Sequence, residues 1–268
     1  MTSPLAGEPT AGEPILRIRD LGKRFGGFAA VSGVSLDVQR GETLAIIGPN
    51  GAGKTTFYNL LSGRMAPSQG SIVYKGQEIA GLPPYRISRL GISRSFQINN
   101  IFTEMRVREN VEVALTAWHR ESRRWFNRAD RNPTIRREAD RLLEQLSLGH
   151  LAEQIAGTIS YGDKRLVEIA VVLATQPELV LLDEPTAGMT PDETSRIIAL
   201  VRSLAQTGQY TFLITEHDMR VVFDLADRIL VLHHGSPLIL DAPAVVRANP
   251  EVRRAYLGSE DVEMAGAP

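Results

Sequence analysis

Residues Gly48 to Thr56 have the types and the spacing of a loop that surrounds phosphate groups. They fit the pattern G-x-x-x-x-G-K-S/T and lie between an apolar run, residues 43–47, and a helix-like segment. In such a loop, glycines let backbone N–H groups surround a polyphosphate, and the N-terminus of the next helix adds partial positive charge. We expect Lys54 to contact the β- and γ-phosphates of a nucleotide and the Thr55 hydroxyl to bind Mg²⁺. The phosphate-binding candidates are Gly48, Pro49, Asn50, Gly51, Ala52, Gly53, Lys54, Thr55 and Thr56.

Two adjacent carboxylates, Asp183 and Glu184, follow an apolar run from Leu179 to Leu182. Such a run predicts a buried strand of a parallel sheet, and ligands bind at the carboxyl ends of such strands. Charged side chains at this position are costly unless they are paired or bind a metal ion. We expect Asp183 to join the Mg²⁺ shell and Glu184 to accept a proton from an attacking water.

His217 and Gln97 are two further polar residues that follow predicted strands. His217 comes after the run Thr211–Thr215 and could hydrogen-bond a γ-phosphate, or hold the attacking water and Glu184 in place. Gln97 follows a predicted strand at residues 92–96, and its carboxamide can bind a metal ion or orient water. Both residues are catalytic candidates, and Gln97 is also a candidate metal ligand. The alternative for Gln97 is an ordinary surface residue.

Phe25, Ser160 and Gly162 are candidates for contacts with other parts of a nucleotide. Phe25 lies in a segment, residues 23–28, that we expect to be a turn, and its ring could stack on a base. Ser160 and Gly162 open a predicted helix, whose free backbone N–H groups would make a second anion site. The alternatives are a core or turn aromatic for Phe25 and simple helix capping by Ser160.

The spacing of apolar residues divides the chain into regions of sheet and regions of helix. Residues 15–19 and 34–38 alternate apolar and polar side chains, so we expect two strands that pair antiparallel. Residues 101–159 have helical periodicity and predict a separate helical lobe. The adjacent His233 and His234 lie at a predicted strand end and should point to opposite faces, so a shared metal ion is not expected.

The composition is that of a globular chain without a dominant charge. Its 268 residues are 43% hydrophobic and 23% charged, enough for one large domain with a sizeable core. With 30 basic and 31 acidic residues, no overall field favours nucleic acid as a partner. There is no cysteine, which excludes disulfides, thiol nucleophiles and cysteine-ligated zinc. Residues 1–14 have neither a basic nor an apolar region, so we expect a disordered tail instead of a signal peptide.

The order of the motifs resembles that of the ABC-type ATPases over nearly all of residues 15–258. The A-loop, Walker A, Q-loop, signature, Walker B and switch histidine of that family correspond in order to Phe25, Gly48 to Thr56, Gln97, Ser160 to Gly162, Leu179 to Glu184, and His217. The resemblance implies an α/β fold: a P-loop NTPase (RecA-like) core with an N-terminal antiparallel β layer and an inserted helical subdomain. It implies one ABC ATPase domain at 15–258, with the nucleotide-binding core at 15–99 and 166–258. The helical subdomain is then 100–165, and 1–14 and 259–268 are disordered tails.

Several short segments resemble the ATPase subunits of branched-chain amino acid importers in particular. They are Tyr161, residues 185–191, residues 216–219, and the ending Ala255-Tyr256-Leu257-Gly258. Importers of urea and short-chain amides share these features and are an alternative, and a lipid exporter is another. A non-transport ABC ATPase acting on ribosomes or DNA fits less well, because the chain has one cassette and no basic tail. A P-loop kinase or GTPase would not need Ser160, Gly162 and His217 in this order.

The resemblance also implies cofactors and partners. ATP and Mg²⁺ would bind, and two ATPase subunits, identical or different, would enclose two ATP molecules, each Walker A facing the partner's signature. The helical subdomain would receive a segment of a membrane permease. The implied partners are a second ABC ATPase subunit, two membrane permease subunits and, indirectly, a periplasmic substrate-binding protein, with no nucleic acid. The chain would lie in the cytoplasm, against the inner face of the cell membrane.

Besides Tyr161, which replaces the first Gly of the common signature as in the importer branch, two residues depart from the pattern of the ABC ATPases. Asp163 stands where the common signature has Gln, which would add a negative charge close to the γ-phosphate bound by a partner subunit. Thr190 stands where most ABC ATPases have the D-loop Asp. We expect the first departure to weaken closure on nucleotide and the second to alter communication between paired sites.

Overall fold

The computed structural model describes residues 12–95, 101–119 and 133–257. In these ranges, the strands form one four-stranded sheet and one six-stranded sheet. The strands are β1 (Leu16–Phe25), β2 (Phe28–Val38), β3 (Thr43–Ile47), β4 (Gln69–Tyr74), β5 (Gln77–Glu78), β6 (Ile92–Arg94), β7 (Leu179–Asp183), β8 (Thr211–Thr215), β9 (Arg228–His233) and β10 (Ser236–Asp241).

The helices in the described ranges cover both sheets and form a lobe beside them. They are α1 (Lys54–Leu61), α2 (Pro84–Leu90), α3 (Val107–Trp118), α4 (Pro133–Gln145), α5 (Tyr161–Leu173), α6 (Pro191–Gln206), α7 (Met219–Leu225), α8 (Pro243–Ala248) and α9 (Pro250–Leu257), with short 3-10 turns at Gly149–Leu151 and Ala156–Thr158. Among these helices, none has the length and apolar character of a membrane-spanning segment.

The six-stranded sheet has the order β10-β9-β3-β8-β7-β6. Strands β9, β3, β8, β7 and β6 run parallel, and β10 pairs antiparallel with β9. Asp183 pairs with Thr215 at the ends of β7 and β8, and Thr215 pairs with Ile46 near the end of β3. The carboxyl ends of the central strands therefore meet at one edge, where ligands bind in open parallel sheets.

Alternate residues of the central strands enter two different cores. Leu44 and Ile46 of β3 pack with β1, β2, β4 and α1, together with Leu181 and Leu213. Ala45 and Ile47 enter the core formed with α3 to α7 on the other face of the sheet. Because successive side chains of a strand point to opposite faces, a fully apolar strand fits only between two covered faces. The three predicted apolar runs are therefore confirmed as buried strands.

The four-stranded sheet has the order β2-β1-β4-β5 and is antiparallel. The predicted pairing of residues 15–19 with 34–38 is confirmed, since Leu16 pairs with Val38. The strands extend much further than predicted, as far as Phe25 and Phe28, which pair with each other. The turn predicted over residues 23–28 is present but shorter, because only Gly26 and Gly27 connect the two strands.

The predicted helical region contains α3 and α4, which pack against each other. Val107, Val111 and Leu115 line one side of α3 and share a core with Ala139 and Leu143 of α4. This spacing of three and four residues is the one that predicted the helices, and the prediction is confirmed for the described part of the region. The tails predicted at 1–14 and 259–268 lie mostly outside the described residues, as does Gln97.

Candidate functional site

The phosphate loop leaves β3 and ends at the first turn of α1. Its first glycine, Gly48, lies so close to β9 that an added Cβ would approach the Leu232 carbonyl oxygen to 2.3 Å. Its last glycine, Gly53, is the N-cap of α1 with φ 100° and ψ 2°, a left-handed conformation that a larger residue rarely adopts. Both glycines are therefore required by the backbone path, independently of any ligand.

Lys54 is buried inside this loop. Its Nζ donates to the carbonyl oxygens of Gly48, at 2.5 Å, and Pro49, at 3.2 Å. Burial lowers the pKa of Lys54, and the charges of Glu184 and Asp183 oppose that shift. The charge of Lys54 is therefore influenced by both carboxylates, Asp183 at the end of β7 and Glu184 directly after it.

Asp183 is the last residue of β7, and its carboxylate is buried. The Thr215 hydroxyl donates to Oδ1 at 2.6 Å, and the Arg94 guanidinium donates to Oδ2 at 2.7 Å. The carboxylate of Asp183 and the exposed hydroxyl of Thr55 are hard oxygen donors, which suit Mg²⁺ when phosphate oxygens and water complete its shell. The donor set therefore fits the predicted metal.

Glu184 follows Asp183 with a left-handed backbone, φ 47°, so the chain turns sharply between the two carboxylates. Its Oε1 lies 2.9 Å from Nε2 of His217, and its backbone N–H donates to the Thr215 carbonyl at 3.0 Å. The two catalytic candidates that follow β7 and β8 are thus in direct contact. Both side chains are less buried than Asp183, so water can reach them.

Glu216 anchors the loop that carries His217. Its Oε1 accepts hydrogen bonds from the backbone N–H and from the hydroxyl of Thr186, both at 2.8 Å. Its Oε2 accepts a longer bond from the backbone N–H of His217, at 3.3 Å. Burial raises the pKa of Glu216, against the effect of these hydrogen bonds. The carboxylate ties the loop after β7 to the loop after β8.

Ser160 is the N-cap of α5, as predicted, and accepts from the backbone N–H of Asp163 at 3.1 Å. The backbone N–H of Gly162 donates to Oε1 of Glu193 at 3.0 Å. Glu193 also caps α6 by accepting from the backbone and hydroxyl of Thr190. Ser160 and Gly162 therefore form their hydrogen bonds with residues of α5 and α6. Lys54 forms its hydrogen bonds with residues of the phosphate loop.

Asp163 does not present a free negative charge. Its Oδ1 accepts from Arg196 at 2.8 Å, and its Oδ2 accepts from the Ser160 hydroxyl at the same distance. The added charge that the sequence led us to expect is therefore balanced within this chain by a guanidinium of α6.

Phe25 lies at the end of β1 and is 48% exposed, and the Nζ of Lys23 lies 5.4 Å from its ring centre. An exposed aromatic residue on a hairpin is available for stacking on a base, and that role stays a prediction. Gln97, the remaining catalytic candidate, lies outside the described residues.

Sequence reasoning missed three residues that contact the predicted site. Arg94 binds Asp183, Glu216 joins two site loops, and the backbone of Gly48 lowers the pKa of Tyr256 of α9 against the larger effect of burial. An arginine inside a short buried strand was the available signal for Arg94. No local pattern could indicate the contact of Tyr256, because it joins distant parts of the chain.

The comparison with protein families decides what this site belongs to. The sequence model described as "ABC transporter" matches residues 31–187, which include the phosphate loop and both carboxylates. A second one, "Branched-chain amino acid ATP-binding cassette transporter", matches residues 241–262 at the C-terminal end. The chain belongs to the ABC transporter family, as an ATP-binding subunit. It is an ATPase.

Relatives of this ATPase cover almost the whole chain. The high-affinity branched-chain amino acid transport ATP-binding protein BraF of Pseudomonas aeruginosa is 41% identical over 91% of this chain and 98% of its own length. The protein LivG of Escherichia coli, with the same description, is 41% identical over 92% of this chain and 98% of its own length. The archaeal relative from Archaeoglobus fulgidus is 35% identical.

Solved structures confirm the α/β ABC ATPase fold. The ADP conformation of MJ1267, an ATP-binding cassette of an ABC transporter, has a TM-score of 0.82 at 31% identity and covers 91% of this chain and 99% of that one. A nucleotide-free cassette from an ABC transporter has a TM-score of 0.80 at 30% identity, over 91% of this chain and 98% of its own.

Proposed function

We propose that this ATPase powers an importer of branched-chain amino acids. The observation that carries the hydrolytic part is the contact of His217 with Glu184, 2.9 Å apart, beside the buried carboxylate of Asp183. The transported substrate is inferred from the relatives named above and from the C-terminal match at residues 241–262.

The side chains of this site divide the work of ATP hydrolysis. Lys54 contacts the β- and γ-phosphates after leaving the carbonyl of Gly48. Thr55 and Asp183 would hold Mg²⁺, which would supply positive charge to the phosphate oxygens. Glu184 accepts a proton from the attacking water, while His217 orients the Glu184 carboxylate and the γ-phosphate side of the site. We assign Gln97 as a further ligand or water-orienting group on sequence grounds alone.

The same proposal assigns the remaining nucleotide contacts and the division of the chain. Phe25 stacks on the base, and Ser160 and Gly162 face the ATP of a second ATPase subunit. Residues 15–99 and 166–258 form the nucleotide-binding core. Residues 100–165 form the helical subdomain that receives a segment of one of the two membrane permeases at the inner face of the membrane, with a periplasmic binding protein acting through those permeases.

The test of the catalytic assignment separates the two carboxylates. Glu184→Gln keeps the size of the side chain but removes the base, so MgATP should still bind while hydrolysis slows by a factor of about 10² to 10⁴. Asp183→Asn removes charge from the metal shell and should weaken Mg²⁺-dependent nucleotide binding. Nucleotide titration and phosphate release on both variants measure this. Equal loss of nucleotide binding in the two variants would contradict the assignment of Glu184 as the base.

The test of the transport assignment uses the complete complex. The ATPase, its partner subunit and the two permeases, reconstituted in vesicles, should hydrolyse ATP faster when a binding protein loaded with leucine or another branched-chain amino acid is present. A binding protein loaded with urea is the matched control for the nearest alternative. Stimulation by the urea-loaded protein alone would transfer the assignment to that class of importer.

A further inference from the structure

Asp183, the carboxylate assigned to the metal site, is paired with the positively charged side chain of Arg94. Arg94, the last residue of β6, donates from Nη2 to Oδ2 of Asp183 at 2.7 Å. The two side chains are 7% and 5% exposed, so this is a buried ion pair. A divalent cation that binds Asp183 needs the same negative charge and competes with the guanidinium for it.

Other contacts fix the guanidinium in this position. Its Nη1 donates to Oδ1 of Asn59 at 2.7 Å and, at 3.4 Å, to the hydroxyl of Ser62, both next to or within α1. The guanidinium carbon lies 5.4 Å from the centre of the buried ring of Tyr58. Among the described residues, the Nε of Arg94 is a buried donor with no acceptor. The pairing with Asp183 is thus maintained although one donor of Arg94 is left unsatisfied.

Asp183 has no other cation bonded to its carboxylate in the described part of the chain. Its Oδ1 accepts from the neutral hydroxyl of Thr215, and the interaction of Lys54 with it is through space. Removing one member of a buried ion pair leaves an uncompensated charge, which is unfavourable unless another ion takes its place. Arg94 therefore neutralises the charge of Asp183 before metal binds. When a metal ion binds, it must replace the guanidinium at this carboxylate.

We propose that Arg94 is a positioning residue that holds Asp183 in the metal-free chain and that a divalent cation has to displace it from Oδ2. This inference rests on the proposed role of Asp183 in the metal site. It predicts the direction of two effects: loss of Arg94 raises the affinity for metal and lowers the stability of the metal-free chain. An arginine that only supported the shape of the site would have the opposite effect on metal binding, because its loss would let the carboxylate turn away.

The experiment measures Mn²⁺ affinity by electron paramagnetic resonance on the full chain with saturating ADP, so no hydrolysis is involved. Arg94→Met should bind Mn²⁺ about tenfold more tightly than the unchanged chain, the factor expected for one charge-assisted hydrogen bond that no longer has to be broken. Its thermal unfolding without metal should begin at a lower temperature. Arg228→Met is the matched control, because it removes an arginine from a partly buried pair with Glu42 at the other end of the sheet. It should lower stability and leave the Mn²⁺ affinity unchanged.

A second variant keeps the test available if Arg94→Met does not fold. Arg94→Lys retains the charge but loses the planar fork that binds Asn59 and Asp183 together, and should tighten Mn²⁺ binding by a smaller factor, about threefold. Unchanged or weaker Mn²⁺ binding in the folded Arg94 variants would overturn the inference.

A double-mutant cycle separates this inference from the proposed function. Asp183→Asn should weaken Mn²⁺ binding, and Arg94→Met should have little further effect in that background, because the competition acts through the Asp183 carboxylate. If Asp183→Asn leaves Mn²⁺ binding unchanged, the metal role of Asp183 fails. If Asp183→Asn weakens binding but Arg94→Met does not tighten it, only the displacement of Arg94 is refuted. If Arg94→Met tightens Mn²⁺ binding equally in the Asp183→Asn background, the effect is one of general charge, and the displacement of Arg94 is also refuted.

Discussion

Removal of the Glu216 side chain should destabilise the fold through two buried donors. In Glu216→Ala, the backbone N–H and the hydroxyl of Thr186 lose the acceptor that both bind at 2.8 Å. Thr186 is buried, and an unsatisfied buried donor costs about 1–3 kcal/mol, so we expect a loss of about 3 kcal/mol in the free energy of unfolding. For a chain of this size, that corresponds to a fall of about 6–12 °C in the melting temperature.

Glu216→Gln is the matched variant, because its amide oxygen can still accept both bonds from Thr186. Its NH₂ group replaces Oε2, which accepts only the longer bond from His217. We expect this variant to lose about 1 kcal/mol of stability near pH 5. Equal destabilisation by Ala and Gln, measured by thermal unfolding followed by circular dichroism, would refute the role given to the Thr186 bonds.

The Gln variant also tests the ionisation of Glu216. Because burial raises its pKa above the ordinary 4.5, the folded chain holds this proton more tightly than the unfolded chain. The resulting stability is fully present below about pH 4.5 and is lost as the pH rises through the folded pKa. The amide has no such proton, so Glu216→Gln should become more stable relative to the unchanged chain between pH 5 and pH 8. Glu251→Gln, at an exposed position of α9, controls for the loss of one negative charge and should show no such trend.

Two further predictions concern the phosphate loop. Lys54→Ala should lower ATP affinity by about tenfold to a hundredfold, because it removes the charge that contacts the phosphates, while circular dichroism stays unchanged; retained affinity would contradict the assignment of the loop. Tyr256→Phe removes the hydroxyl whose pKa the backbone of Gly48 lowers and should weaken nucleotide binding by up to about tenfold, measured by titration with ADP. Tyr210→Phe, at a half-buried ring next to Phe212, is its control and should leave the affinity unchanged.

The central sheet could be predicted from the sequence because its strands are covered on both faces. Three apolar runs that end in polar or glycine residues were sufficient to predict β3, β7 and β8 and the edge where the site lies. The pattern of β1 failed after Arg19 for a physical reason. Its pairing with β2 shifts register between Ile18 and Leu21 and again near Lys23, so the alternation on which the prediction depends is interrupted.

A local backbone conformation also explains why the two adjacent histidines do not point to the opposite faces predicted from the sequence. His233 ends β9, but His234 has a left-handed backbone with φ 48°, so the alternation of a strand no longer applies to it. Their rings lie 4.1 Å apart instead of on opposite faces. That part of the prediction is wrong. No group of three or more metal-binding side chains was found in the described ranges, so the contact by itself does not indicate a metal site.

Residues at the ends of β7 and β8 and in the loops that follow them contact each other in pairs, and these pairs follow from the register of the two strands. Since Asp183 pairs with Thr215 in the sheet, the residues that follow each of them come to lie opposite one another. The side-chain contacts are Asp183 with Thr215, Glu184 with His217, and Thr186 with Glu216. The buried contact of Glu216 fixes the loop in which the more exposed contact of His217 lies. The orientation of the candidate base therefore depends on a buried carboxylate that binds Thr186 and the backbone of His217, and for this reason Glu216→Ala should slow hydrolysis as well as lower stability.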